Sequence, residues 1–185
     1  MMTERQAEAA NKLMVRIVID SRQDDERVTQ EVTGELYRKG AHFYVRYIEP
    51  INHPERVNRR GDHPDGENDG ASDMSASSPT QVMIKISKRQ IKLTRRGQVE
   101  SEQTFSYREK QGGYYRSQAL RFPMTTYTSL MEWNNPWPFE GPLQFDQLML
   151  TWAYQLYIEE QCTGQFEIKL KMTPADTHNR MAQEE

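Results

Sequence analysis

The chain has 185 residues, with 24 Lys and Arg against 27 Asp and Glu and a formal net charge of −3. That near balance leaves no chain-wide footprint for a polyanion, and a single cysteine excludes an internal disulfide framework and a Cys-rich zinc site. No stretch nears the ~18 apolar residues of a membrane-spanning helix, so composition points to one soluble, reduced, cytoplasmic domain.

Residues 1–11 are polar and Ala-rich and read as a flexible tail, and their acids argue against a secretory signal. Lys12–Ser21 (KLMVRIVIDS) is rich in β-branched residues and predicts the first strand. Val28–Arg38 alternates, with Val28, Val32, Gly34 and Leu36 on one face and Thr29, Glu31, Thr33 and Glu35 on the other. That period of two marks a sheet with one wet face. Lys39-Gly40 turns the chain into Ala41–Glu49. Residues 51–79 then carry three Pro, three Gly, six acidic and three basic residues and no aromatic. Such a stretch buries too little apolar surface to offset the entropy of ordering, so it is expected as a disordered polar insert.

Thr80–Ser87 places Val82, Ile84 and Ile86 inward and Lys85 outward, and Gln90–Arg95 repeats the pattern with Ile91 and Leu93 inward. Arg95-Arg96-Gly97 suits a three-residue hairpin loop with Gly at the left-handed position, which would set Lys92 opposite Glu100. Gln98–Tyr107, Gly113–Leu120 and a strand near Phe122–Trp133 follow. Within 143–158, Leu148, Trp152 and Leu156 also fit helical spacing, but strict alternation and the Tyr, Trp and Thr content favour a strand. Phe166, Ile168, Leu170 and Met172 alternate with Glu167, Lys169 and Lys171 until Pro174 stops the last strand, and 174–185 reads as a second flexible tail. Short connections imply antiparallel hairpins. The prediction is an all-β fold of about 8–10 strands, a single closed or nearly closed antiparallel barrel over 12–173, because closure removes sheet edges.

The segments GELYRKGAHFYVRYIEP, TQVMIKISKRQIKLTRRGQVESEQTF and LTWAYQLYIEEQCTGQFEIKLKM resemble the YwiB-like family, a bacterial family of unknown function. The resemblance rests on strand order and on patches such as Gly-Glu-Leu-Tyr, Tyr-Ile-Glu and Leu-Thr-Arg-Arg-Gly, and it covers most of 12–173. It implies a cytoplasmic calycin-like (lipocalin-type) barrel and brings no activity or site residues. The chain departs from the shorter family pattern by the 51–79 insert.

Four constellations could carry chemistry. Cys162 falls inward by alternation with Gly164 and Phe166, and without a histidine beside it reads as a small buried hydrophobe. His53, Asp62, His63, Asp65 and Asp69 match neither a zinc motif nor a calcium loop, so no metal or other cofactor is expected. Lys85, Lys88, Arg89, Lys92, Arg95 and Arg96 form a basic stretch that would suit RNA or an acidic protein, or else a solvated outer face partly neutralised by Glu100 and Glu102. In the barrel interior, Tyr114, Arg116 and Gln118, if inward, would sit near Trp152 and Tyr154 and give an internal guanidinium for a ligand carboxylate. The other reading of Arg116 is a side chain near the mouth that snorkels to water. Trp133, Trp137 and Phe139, in a Pro-rich loop, would cap one barrel end or else form an exposed contact patch, with capping preferred.

No nucleophile–base–acid arrangement, no paired carboxylates at readable spacing and no Gly-rich phosphate loop is legible, so the sequence leans away from an enzyme. The leading function is a non-catalytic barrel, monomeric or homodimeric, that binds a small amphipathic or carboxylated ligand. The alternative is an RNA- or protein-interaction module using the basic 85–96 hairpin, and a hydrolase or isomerase acting inside the barrel comes third.

Overall fold

The computed structural model describes residues 11–50, 79–134 and 143–175. The N-terminal tail through residue 10, the insert from 51 to 78 with its histidines and aspartates, Trp137, Phe139 and the tail from 176 lie outside the described residues. Ten strands form in chain order: β1 (Lys12–Gln23), β2 (Glu26–Lys39), β3 (His42–Ile48), β4 (Gln81–Ile86), β5 (Gln90–Arg96), β6 (Glu100–Ser106), β7 (Lys110–Arg116), β8 (Arg121–Trp133), β9 (Leu148–Ile158) and β10 (Gln161–Pro174). Each pairs antiparallel with its sequence neighbours, and β1 pairs with β10 to close the barrel. Among the described residues there is no helix, and residues 148–158 are a strand, with Leu148, Leu150, Trp152 and Tyr154 buried.

The alternation read along the chain is the inside–outside rule of the barrel. Val15, Ile17, Leu36, Phe43, Val45, Ile84, Ile86, Ile91, Phe105, Leu150, Leu170 and Met172 are all at most 2% exposed, so the interior over most of its height is a packed core. One end is filled. There Trp133 packs on Phe43 with ring centroids 6.4 Å apart, and Leu143 and Phe145, from the connection into β9, join the same cluster. The other end carries the β1–β2, β5–β6, β7–β8 and β9–β10 hairpins, the chain leaving β3 and the chain entering β4.

One register and two bulges depart from the expected pattern. The β5–β6 loop is Gly97–Val99, so Arg95 faces Ser101 and Lys92 faces Thr104 rather than Glu100. Gly97 takes a positive φ of 148° there, with Pro79 and Thr80 crowded against it. The displaced register differs by an even number of residues, so the inward set is preserved. A bulge between Thr128 and Leu130 moves the inward phase of β8 from Thr126 and Thr128 to Met131 and Trp133. A second bulge, between Cys162 and Gly164, takes Cys162 out of the interior, and the thiol is exposed.

β6 and β7 pair only over Glu100–Glu102. A Cβ on Gly113 would run into the Glu102 carbonyl, so glycine is what lets β7 lie against β6 here. Lower down, Thr126 Oγ1 of β8 donates to Thr104 O at 2.6 Å, and Arg108 N donates to Thr128 O at 2.8 Å. Gly113→Ala is expected to cost about 1–3 kcal/mol, as overpacking does, read by denaturant unfolding. The two-residue β9–β10 turn holds Glu159 and Glu160 at φ of 48° and 65°, a left-handed pair that Asn-Gly fills without strain. Glu159→Asn with Glu160→Gly is expected to stabilise by about 1–2 kcal/mol in the same measurement.

Candidate functional site

Period two in β3 sends Phe43, Val45 and Tyr47 inward and points the next odd residue, Glu49, the same way. In β5 the same rule follows Ile91 and Leu93 with Arg95. Register brings the two strands' ends together through β4, with Tyr47 beside Val82 and Val82 beside Arg95. Arg95 Nε donates to Glu49 Oε1 at 2.8 Å, 46 residues away in the chain. The two side chains are 30% and 26% exposed, at the open end of the barrel.

Around this pair lies a pocket of about 340 Å³. Ser101 and Gln103 of β6 add polar groups to its wall. Val99, Phe122, Met124, Leu156 and Ile158 supply its apolar surface, and Tyr115 stacks on Phe122 with centroids 5.1 Å apart. The volume sits at the small end of the range for ligand pockets, about 300–1,000 Å³.

Three features mark the polar wall as incompletely satisfied. Three arginines on the outer face each grip a carboxylate through two nitrogens: Arg16 holds Glu31 at 2.6 and 2.7 Å, and Arg27 and Arg46 hold Asp20 and Glu35. Arg95 uses Nε alone, and its terminal amino groups meet no acceptor among the described residues. Ser101, directly across from Arg95 and 2% exposed, has a hydroxyl without a hydrogen-bond partner among the described residues. Gln103 spends its amide donor on the Met124 thioether at 3.3 Å, a weak acceptor. Buried polar groups are rarely left in this state.

Burial works against the charge on Arg95, but the Glu49 carboxylate outweighs it and raises the guanidinium above its ordinary value. Burial also pushes the phenols of Tyr47 and Tyr154 up to about 12, against the pull of Arg95. At neutral pH both are hydrogen-bond donors and neither is a base. Ser101 has Arg95 and Tyr115 as cross-strand neighbours and no imidazole, and His42, the one histidine among the described residues, starts β3 at the opposite end of the barrel. What the wall offers is hydrogen-bond donors around a guanidinium–carboxylate pair. No group of three or more potential metal ligands occurs among the described residues.

The guanidinium expected inside the barrel is therefore Arg95 and not Arg116. Along β7, Gly113 and Tyr115 turn inward while Tyr114 and Arg116 are exposed, with Gln118 exposed beyond the strand. Pairing of Tyr115 with Phe122 and of Gly113 with Met124 sets that phase. Arg116 lies near the mouth and reaches Glu100 outside, at 3.5 Å. Trp152 and Tyr154 are buried as expected, packed on Phe105 with centroids 5.9 and 4.6 Å away.

The basic stretch does not form one surface. Lys88 and Arg89 are exposed in the β4–β5 turn, at the end opposite Arg95 and Arg96. Lys92 is tied to Glu102 at 2.7 Å, and Lys85 sits 5.9 Å from the Tyr44 ring centroid. Arg96 is exposed at the rim, and Arg95 is inside. No observation of charge placement favours a docking face there.

A family model described as "Domain of unknown function (DUF1934)" matches residues 71–170, from before β4 to within β10. The chain belongs to this family. Its matched segment includes Arg95, Ser101 and the apolar wall of the pocket, while Glu49 lies before it. The crystal structure of ywiB protein from Bacillus subtilis is similar over 90% of this chain and 93% of that one, with a TM-score of 0.61 and 13% identity, a likeness of fold. No curated protein matches the chain significantly.

The two phenols also give a pH signature. Their native pKa of about 12 lies above the ordinary value of 10, so the folded state holds protons that the unfolded state has released between those pH values. Their contribution to stability is full below pH 10 and is lost as pH rises toward 12. Denaturant midpoints measured across that window are expected to fall with pH, and Tyr47→Phe with Tyr154→Phe should flatten the fall.

Proposed function

We propose that the barrel is a non-catalytic binding protein that seats a small amphipathic ligand in its mouth, head group on the Arg95 wall and hydrocarbon body against Phe122, Met124, Leu156 and Ile158. The observation that carries this reading is the one-pronged Arg95, a charged group held inside the pocket with its terminal donors uncommitted among the described residues. A guanidinium in a half-buried site gains from an acceptor group far more than one on the outer surface does. The buried Ser101 hydroxyl beside it adds a second donor to the same point.

The test uses the full-length protein and the anionic amphipath 8-anilinonaphthalene-1-sulfonate, followed by fluorescence and by native mass spectrometry. One probe per chain is the expected stoichiometry. Arg95→Gln with Glu49→Gln removes both charges together, leaving none buried alone, and should weaken the probe about tenfold or more. Arg116→Leu, on the outer face, should leave it unchanged. Equal binding by wild type and the double variant would place the probe elsewhere and overturn the reading, as would no binding at all.

A further inference from the structure

The polar pole of the mouth pocket is a pair, not a lone cation, and that narrows what it can hold. Glu49 spends one carboxylate oxygen on Arg95 Nε, and its other oxygen has no partner among the described residues. Both residues line the same pocket. Donors of a guanidinium and an oxygen of a carboxylate, both uncommitted among the described residues, therefore belong to one pocket with an apolar wall.

We propose that the pocket takes a zwitterionic amphipath, a molecule with a carboxylate and an ammonium on one carbon and a hydrocarbon body, the chemical class of an α-amino acid with a long apolar side chain. This rests on the reading of the mouth as a ligand pocket. A simple anion placed on Arg95 meets the Glu49 carboxylate in a site of reduced dielectric, and a simple cation placed on Glu49 meets Arg95. A dipolar head satisfies both at once, its carboxylate on the terminal amino groups of Arg95 and its ammonium on the open oxygen of Glu49. Ser101 completes the carboxylate site, since its hydroxyl is buried across from Arg95 with no partner among the described residues. The pocket volume, about 340 Å³, admits one small ligand rather than a long lipid chain.

Four probes with one eight-carbon body separate these possibilities: 2-aminooctanoate, octanoate, octylamine and octanol, each titrated calorimetrically into the full-length protein. The expected result is 2-aminooctanoate binding about tenfold more tightly than either singly charged probe, the worth of one further charge-assisted contact. Octanoate binding as tightly as 2-aminooctanoate, or more so, would overturn the zwitterion and leave the ligand pocket standing. Octylamine or octanol as the tightest probe would do the same. Failure of all four would remove the pocket reading and this inference together. Glu49→Gln should weaken 2-aminooctanoate and strengthen octanoate, each about tenfold. Because that change leaves Arg95 without its partner and can unfold the barrel, Ser101→Ala supplies a second variant that keeps the pair. It should weaken both carboxylated probes and spare octylamine, and no change in either carboxylated probe would overturn the proposed head-group site.

Discussion

Pairing of β1 with β10 is the constraint from which the rest of the structure follows. Nine cross-strand pairs, from Val15 with Pro174 to Gln23 with Phe166, turn a meander of ten strands into a tube. An even number of strands lets the first and last meet antiparallel, and closure pairs the two terminal strands that would otherwise be open edges of the kind that promotes aggregation. It also encloses one entire face of the sheet. Away from the two bulges and the strand ends, alternate residues of each strand are then committed to the interior and the others to the outer face. Charges on the outer face meet across strands, as Arg16 meets Glu31 and Lys12 meets Glu35, both at 2.6 Å. Such exposed pairs add little to stability, so the tube stands on its packed aliphatic and aromatic interior.

Against that background a charged pair on the enclosed face is unusual. Arg95 occupies the row that Ile91 and Leu93 define, and Glu49 the row of Phe43, Val45 and Tyr47. Desolvation there is costly, and each charge tolerates it because the other is present. The position at the open end matters as much as the pairing. Deeper rows are filled with side chains that exclude water, whereas at the rim the wall recedes into a pocket and the pair keeps partial access to solvent. The result is a polar pole on an apolar wall, with the phenols of Tyr47 and Tyr154 protonated beside it.

Much of the barrel was legible because strand periodicity is local. A side chain two residues on points the same way for steric reasons within the strand itself, so Val82-Met83-Ile84-Lys85-Ile86 declares its inner face without reference to anything distant. Parity also held the clue to Arg95, which continues Ile91 and Leu93. Counting charge along the chain hid it, grouping Arg95 with Lys85, Lys92 and Arg96, which face outward, and with Lys88 and Arg89 at the other end of the barrel. Of the two readings of Arg116, the structure has the one at the mouth, and the inward one fails for a different reason. Gly112 and Gly113 carry no side chain, so no apolar signal crosses them to set the phase of Tyr114 and Tyr115, and pairing with β8 decides it. Cys162 was misplaced because a bulge breaks the count beside the last hairpin.

The amino-acid sequence by itself determined the all-β class, the antiparallel order and the inner face of most strands, because hydrophobic alternation and tight turns act over a few residues. The meeting of Glu49 with Arg95 was decided only by the tertiary structure. The two are 46 residues apart with β4 between them, and their contact depends on the register of two ladders at once. Register is set by turn geometry and by packing across the closed tube, and no single segment of the chain contains it.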